Sequence, residues 1–160
     1  MIFMKLKFLI LVIPAFTLWL TTAAQKSKPD SLQVANTLHE LLKLCRTVDF
    51  TDPKVRDLGT FYKAAQYIVY RGDDKSRAWK VFADYTKAAE KKGVDEVCER
   101  INRTANQDSS GYKITKYFTE KESEGTWHVV MVTYKKKEVE KKVAYAFLKI
   151  GTKFGLGDID

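Results

Sequence analysis

Apolar residues along the chain change their spacing part-way. From Val34 to Ile101 they recur every three or four positions, the period of a helix with one buried face. From Tyr112 onward they alternate, the period of a strand. Val34, Leu38, Leu41 and Cys45 form the first stripe, widened by Leu42. Asp30, with Gln33 three residues on, reads as a reciprocal cap at its start. The stretch "DFTDP" (49–53) interrupts the pattern. Asp52 before Pro53 then opens a second helix, with Val55, Leu58, Tyr62 and Ala65 on one face. "YIVYRG" (67–72) is rich in β-branched and aromatic residues and reads as a short strand or as a continuation of that helix. A third helix is predicted over 73–93, capped by Asp73 or Asp74. Ala78, Phe82, Tyr85 and Ala89 align on it, and Gly93 is its stop. A fourth covers 94–104, with Val94, Val97, Cys98 and Ile101 inward. Cys45 and Cys98 thus both face a core.

The second half reads as strands over 112–121, 126–137 and 143–150. Turns fall at Glu124-Gly125 and in the region 138–142, and Gly151-Thr152 leads into a short last strand within "KFGLGDID". Such short links join antiparallel neighbours, so the predicted topology is a meander closed by a hairpin. Asp158 and Asp160 are expected beyond the last paired residue. Within 126–134 both faces are apolar: Trp127, Val129 and Met131 on one, His128, Val130 and Val132 on the other. A sheet with one wet face alternates apolar with polar, so this strand needs covering twice. Helices supply one cover. A second subunit, a concave lining or the curled rim of the sheet supplies the other. Helices followed by a meander make an α+β fold, with N-terminal helices packed on an antiparallel sheet.

The ending "KKVAYAFLKIGTKFGLGDID", and "GTWHVVMVTYKKKEVEKKVAYAFLKIGTKF" more widely, resemble the last strands of the nuclear transport factor 2-like (cystatin-like) superfamily. The resemblance covers roughly residues 30–160. "VYRGDDKSRAWKVF" and "EKKGVDEVC" are similar to small exported bacterial members without an assigned activity. It implies a strongly curved sheet wrapped around helices into a cone, often with an internal cavity and with dimers through the outer sheet face. The superfamily includes ketosteroid isomerase and polyketide cyclases besides non-catalytic binding and assembly modules, so the fold does not choose an activity. No Asp of this chain aligns with the catalytic positions of those enzymes, and no catalytic residue is carried over.

The first 24 residues stand apart. Lys5 and Lys7 precede an apolar run from Phe8 to Leu20 and the small residues Thr21 to Ala24. That is the layout of a signal peptide (1–24). Pro14 and the small-residue end favour cleavage near Ala24 and an exported, periplasmic or secreted product. An uncleaved leader would instead tether the protein to a membrane. A polar tether (25–30) and one domain (31–160) follow. Removing Lys5 and Lys7 lowers the formal net charge from +8 to +6, a modest excess that speaks to solubility and anionic partners rather than fold. Cys45 and Cys98 are the only cysteines. An oxidising compartment permits a disulfide between them, and two buried thiols are the alternative.

Candidate chemistry is sparse. His128, mid-strand among apolar neighbours, is the best lone base, since burial lowers its pKa; a hydrogen-bonded core or interface histidine is the plainer reading. His39 falls on the polar side of the first helix. Tyr67, Tyr70, Trp79, Phe82 and Tyr85, with Trp127 and His128, are the candidate lining of a pocket for a small apolar ligand, or else core. Arg71, Asp73, Asp74 and Arg77 form either an ion network or solvated helix caps. "KKKEVEKK" (135–142) is a solvated hairpin tip, with anionic-surface or phosphate binding as the sharper option. No interleaved aromatics support nucleic-acid binding. Asn102 begins a glycosylation triplet, but inside a predicted helix. No histidine pair has metal spacing and no Gly-rich phosphate loop occurs, so neither metal nor cofactor is expected. The sequence thus points to an exported, non-catalytic binding or structural module, a homodimer with a small ligand or protein partner. The alternative is a small-pocket enzyme of the isomerase or cyclase type. A cavity holding His128 or an Asp within reach of a second polar group would favour the enzyme. A filled apolar cone would favour the module.

Overall fold

The first apolar stripe becomes α1 (Asp30–Arg46), whose buried residues are Val34, Leu38, Leu41, Leu42 and Cys45. The computed structural model describes residues 28–46, 48, 50, 58–70, 81–105, 111–136 and 139–160. The expected reciprocal cap does not form. Gln33 Nε2 donates to the Lys28 carbonyl (2.6 Å), and the Asp30 carboxylate accepts from Lys149 Nζ (2.8 Å). Asp30 lies inside the first turn, where a carboxylate still meets the positive end of the helix. The expected leader, and the expected tether through residue 27, lie outside the described residues. Among the described residues, no helix is long and apolar enough to cross a membrane.

The second helix, α2 (Leu58–Ala65), is rotated by one position from the expected face. Phe61, Ala64 and Ala65 are buried, while Leu58 and Tyr62 are 51% and 46% exposed. Phe61 is the reason. A fully apolar ring belongs inside, and the neighbouring Tyr62 carries a hydroxyl that favours the surface. Asp52, Pro53 and Val55 lie outside the described residues.

Residues 81–105 also depart from expectation. The helix predicted over 73–93 is absent from 81–87. Phe82 is extended and bridges Val69, and a turn at 85–87 precedes α3 (Ala88–Ala105). Asp84 organises that turn: its Oδ1 accepts from the Thr86 amide (3.0 Å) and hydroxyl (2.7 Å). Glu90, one turn into the helix, accepts the Asp84 N–H at 2.7 Å. The α3 helix then runs through Gly93, the expected stop. Glu90, Val94, Cys98, Ile101 and Ala105 form one continuous buried stripe. A Cβ on Gly93 would meet nothing within 4 Å, so its only cost to the helix is conformational entropy.

The β half follows expectation closely. β1 (Tyr112–Glu122), β2 (Gly125–Lys136), β3 (Val139–Ile150) and β4 (Lys153–Ile159) form one antiparallel sheet in the order β1-β2-β3-β4. Gly125 (φ 137°) and Gly151 (φ 60°) occupy turn positions with the backbone conformation that favours glycine. β3 begins at Val139, inside the 138–142 region expected to be a turn. Bulges interrupt β1 between Ile114 and Lys116, and β3–β4 beside Ala146 and Phe147, bending the strands locally. The terminal acids are paired after all. Asp158 lies opposite Ala146, and Asp160 exchanges both backbone hydrogen bonds with Ala144.

β4 is not the edge of this layer. The Val69 amide donates to the Leu156 carbonyl (2.8 Å), and the Leu156 amide to the Tyr67 carbonyl (2.7 Å). Residues 68–70 pair in turn with 81–83, through Tyr70 N–H to Val81 and Ala83 N–H to Ile68. The short strand read at 67–72 is therefore reduced to bridging pairs that cover the free side of β4. The crossing is close: a Cβ on Gly155 would lie 2.8 Å from Val69 Cγ2 and 2.9 Å from the Phe82 ring.

The main core lies between the helices and the inner sheet face. Leu38, Leu41, Phe61, Ile101, Val130, Val132, Tyr145 and Phe147 belong to it. The disulfide Cys45–Cys98 joins α1 to α3 there. Asn102, one turn beyond Cys98, donates its amide to the Cys45 carbonyl (3.1 Å) and the Val48 carbonyl (3.0 Å), closing the C-terminal end of α1. The outer sheet face carries a second cluster of Val69, Trp127, Val129 and Leu148, flanked by Phe118, Ala144 and Ala146. Both faces of β2 are thus buried among apolar side chains, as its composition requires.

Candidate functional site

Two clefts bring polar groups together beside apolar walls. The first, of about 400 Å³, opens between α3, the 68–70 segment and β4. Its apolar lining includes Val69, Tyr70, Val94, Val97, Leu156 and Ile159. Glu90, Glu96, Arg100 and Asp158 supply charge. α3 contributes Val94 from its buried stripe and the half-buried Val97 beside it, and Ile68, bridged to Leu156, lines the cleft as well. Glu90 is 2% exposed and already committed, to the Asp84 amide and to Lys87 Nζ at 3.6 Å. Its carboxylate fixes the wall of the cleft.

The second cleft, of about 360 Å³, lies at the end of the sheet where the β1–β2 turn meets the start of α1. Asp30, Glu124, Thr126, His128 and Lys149 line it. His128 is 6% exposed, and its Nδ1 is 2.7 Å from the Tyr117 hydroxyl. The His128 and Phe154 rings meet edge to face, 4.8 Å between centroids. Burial lowers the His128 pKa; Asp30 opposes that shift and Lys149 adds to it. The imidazole is held neutral at neutral pH. Two tautomers satisfy the contact: the Tyr117 hydroxyl donates to Nδ1, or Nδ1–H donates to the Tyr117 oxygen and Nε2 keeps a basic lone pair. Burial raises the Tyr117 phenol, which stays protonated.

The predicted aromatic lining is dispersed. Tyr85 is core: it stacks on Phe61 at 5.5 Å, and its hydroxyl donates to Asp95 at 2.7 Å. Tyr67 packs against the same core. Phe82 presses on Gly155, and Trp127 belongs to the outer sheet cluster. Tyr70 lines the first cleft and His128 the second. Trp79, Arg71, Asp73, Asp74 and Arg77 lie outside the described residues. His39 is exposed, as its place on α1 suggested, and its Nδ1 lies 2.9 Å from the Tyr112 hydroxyl. Among the described residues, no group of three or more His, Cys, Asp or Glu side chains is arranged to hold a metal ion.

Sequence reading missed Tyr117 as the partner of His128, and the Asp30–Lys149 pair beside them. The first was recoverable: a turn ending at Gly125 sets Tyr117 opposite Val130, diagonal to His128 on the same face. The second joins residues 119 apart and left no local trace. Asn102, marked in the sequence only by a glycosylation triplet that its helix discounts, spends its amide on the end of α1. Comparison of the chain with family models, with curated proteins and with solved structures finds no match.

Proposed function

We propose that this protein is an exported, non-catalytic α+β binding module that takes a small, mainly apolar ligand in the cleft between α3 and β4. The observation that carries the reading is that cleft: about 400 Å³, walled by aliphatic side chains and Tyr70, with a few charged side chains among its lining. Small-molecule sites combine apolar walls with a few placed polar groups in volumes of roughly 300–1,000 Å³. The apolar cluster between the helices and the inner sheet face, where Leu38, Phe61, Tyr145 and Phe147 are wholly buried, supports a binding role at the surface cleft. A nuclear transport factor 2-like curvature, cleavage of the leader, and pairing of two copies through the outer face around Phe118 and Val129 belong to the same reading. The disulfide is consistent with export. The test is titration with the neutral dye N-phenyl-1-naphthylamine. Saturable fluorescence enhancement at one site per chain, abolished by Val97→Trp, is expected. A linear response, or one that Val97→Trp leaves intact, refutes the reading.

The His128–Tyr117 contact favours a second reading, an enzyme of the isomerase or cyclase type. In it, His128 Nε2 abstracts a proton α to a carbonyl, and Tyr117 holds the ring tautomer. Deuterium exchange into a small cyclic ketone, followed by NMR, tests it. Exchange above background that His128→Gln abolishes is the expected result, and background exchange by the unaltered protein rejects it.

A further inference from the structure

The basic hairpin was left unexplained by either cleft. Its base carries an arrangement that the register of the sheet defines. Thr133 on β2 lies directly opposite Lys113 of β1 on one side and Lys142 of β3 on the other. Directly opposed residues project from the same face, so a hydroxyl sits between two ammonium side chains, about 5 Å from each at Cβ. Thr133 is only 7% exposed, and its Oγ1 is sealed from solvent without a hydrogen-bond partner. Both lysines are exposed, and among the described residues neither makes an ion pair. Lys116, opposite Met131 on the same face, instead holds its ammonium over the Phe118 ring, 4.7 Å from the centroid. Two acids stand near by register: Glu140, opposed to Lys135, and Asp160, beside Ala144.

A buried hydroxyl without a partner is unfavourable, and an acceptor brought to it recovers that loss. The two lysines, roughly 10 Å apart at Cβ with Thr133 between them, set a positive field on both sides of the hydroxyl that favours an anion there. One ligand chemistry answers both demands: an oxyanion with several acceptor oxygens. We infer that Lys113, Thr133 and Lys142 form a binding site for a phosphate-class oxyanion on the outer sheet face. The two lysine chains are its movable cover. They fold inward as their ammonium groups meet the anion, and the Thr133 hydroxyl donates to a third oxygen. The anion has two sources, free phosphate or the headgroup of an anionic phospholipid.

The test uses amide NMR of the whole protein, with inorganic phosphate in one arm and phosphatidylglycerol vesicles in the other. For free phosphate, saturable shifts confined to Lys113, Thr133, Lys142 and their neighbours are expected. Thr133→Val, which keeps the shape of the side chain, is expected to weaken binding about tenfold, the loss of one charge-assisted hydrogen bond. Lys113→Gln with Lys142→Gln is expected to abolish it. Vesicle binding sensitive to Thr133→Val, without a phosphate response, assigns the anion to the headgroup. The thermal midpoint of Thr133→Val should equal or exceed that of the unaltered protein. A lower midpoint means that the hydroxyl already serves the fold, and overturns the site. Binding to both probes that ignores Thr133→Val, or no binding to either, also overturns it.

Discussion

Removing the disulfide should cost this protein a large part of its stability, and the size of the loss follows from topology. Cys45 and Cys98 are separated by 53 positions. The relation between loop length and denatured-state entropy gives about 4 kcal/mol at 25 °C for a loop of that length. A domain of this size has a total stability of roughly 5–15 kcal/mol, so the bond supplies a quarter or more of it. The perturbation is Cys45→Ala with Cys98→Ala, which avoids leaving one thiol to form mixed disulfides. At roughly 3 °C per kcal/mol, the thermal midpoint by circular dichroism should fall by about 12 °C. Both cysteines are 0% exposed, so reductant should act on the folded protein only as fast as it opens. A midpoint lowered by less than about 3 °C would refute the entropic argument. It would mean that α1 and α3 are held together as firmly by packing and by Asn102, or that the denatured chain keeps them in contact.

The same junction makes a second prediction. Asn102→Ala should destabilise by about 1–2 kcal/mol in urea unfolding, because it strips donors from the α1 carbonyls. Asn102→Asp should cost more, since it places a carboxylate against those oxygens and the negative helix end, and its penalty should shrink as pH falls. Two glycines should respond oppositely to alanine. Gly93→Ala should stabilise by about 0.5–1 kcal/mol, whereas Gly155→Ala should destabilise by about 1–3 kcal/mol through collision with Val69 and Phe82. Because the His128 pKa is lowered below 6.5 in the folded state, its contribution is complete above that pH. It is lost as pH falls through 6.5 toward the folded value, where the unfolded chain takes the proton first. Unfolding free energies between pH 7 and pH 5 should therefore slope less steeply in His128→Gln than in the unaltered protein.

How far the fold could be read from sequence depended on where each residue's partner lies. The β meander was legible because alternation and Gly turns are local, and Trp127, Val129 and Val130 announced two covers for one strand. The α1 stripe was equally plain. Errors gathered where a local signal competed with a distant one. Phe82 and Tyr85 fit a helical period, yet the backbone of 81–83 pairs with 68–70, and Asp84 turns the chain. Gly93 carries a stop signal that a continuous buried stripe overrides. Of the candidate site, His128 stood out alone. Its partner Tyr117 required the hairpin register, and Asp30–Lys149 required the complete tertiary fold. The aromatic residues clustered in sequence but were distributed over core, cleft and outer face, because the extended bridges send neighbouring side chains in opposite directions.

Residues 153–159 are clasped on both sides, by β3 and by the backbone of 67–69. The backbone of 67–69 therefore has an unmet appointment with a stretch far later in the chain. Until that stretch is in place, the amide of Val69 and the outer edge of β3 have no mate. Shaving a few residues from this strand would act on the middle of the layer, where a missing slat lets the whole fan fall apart.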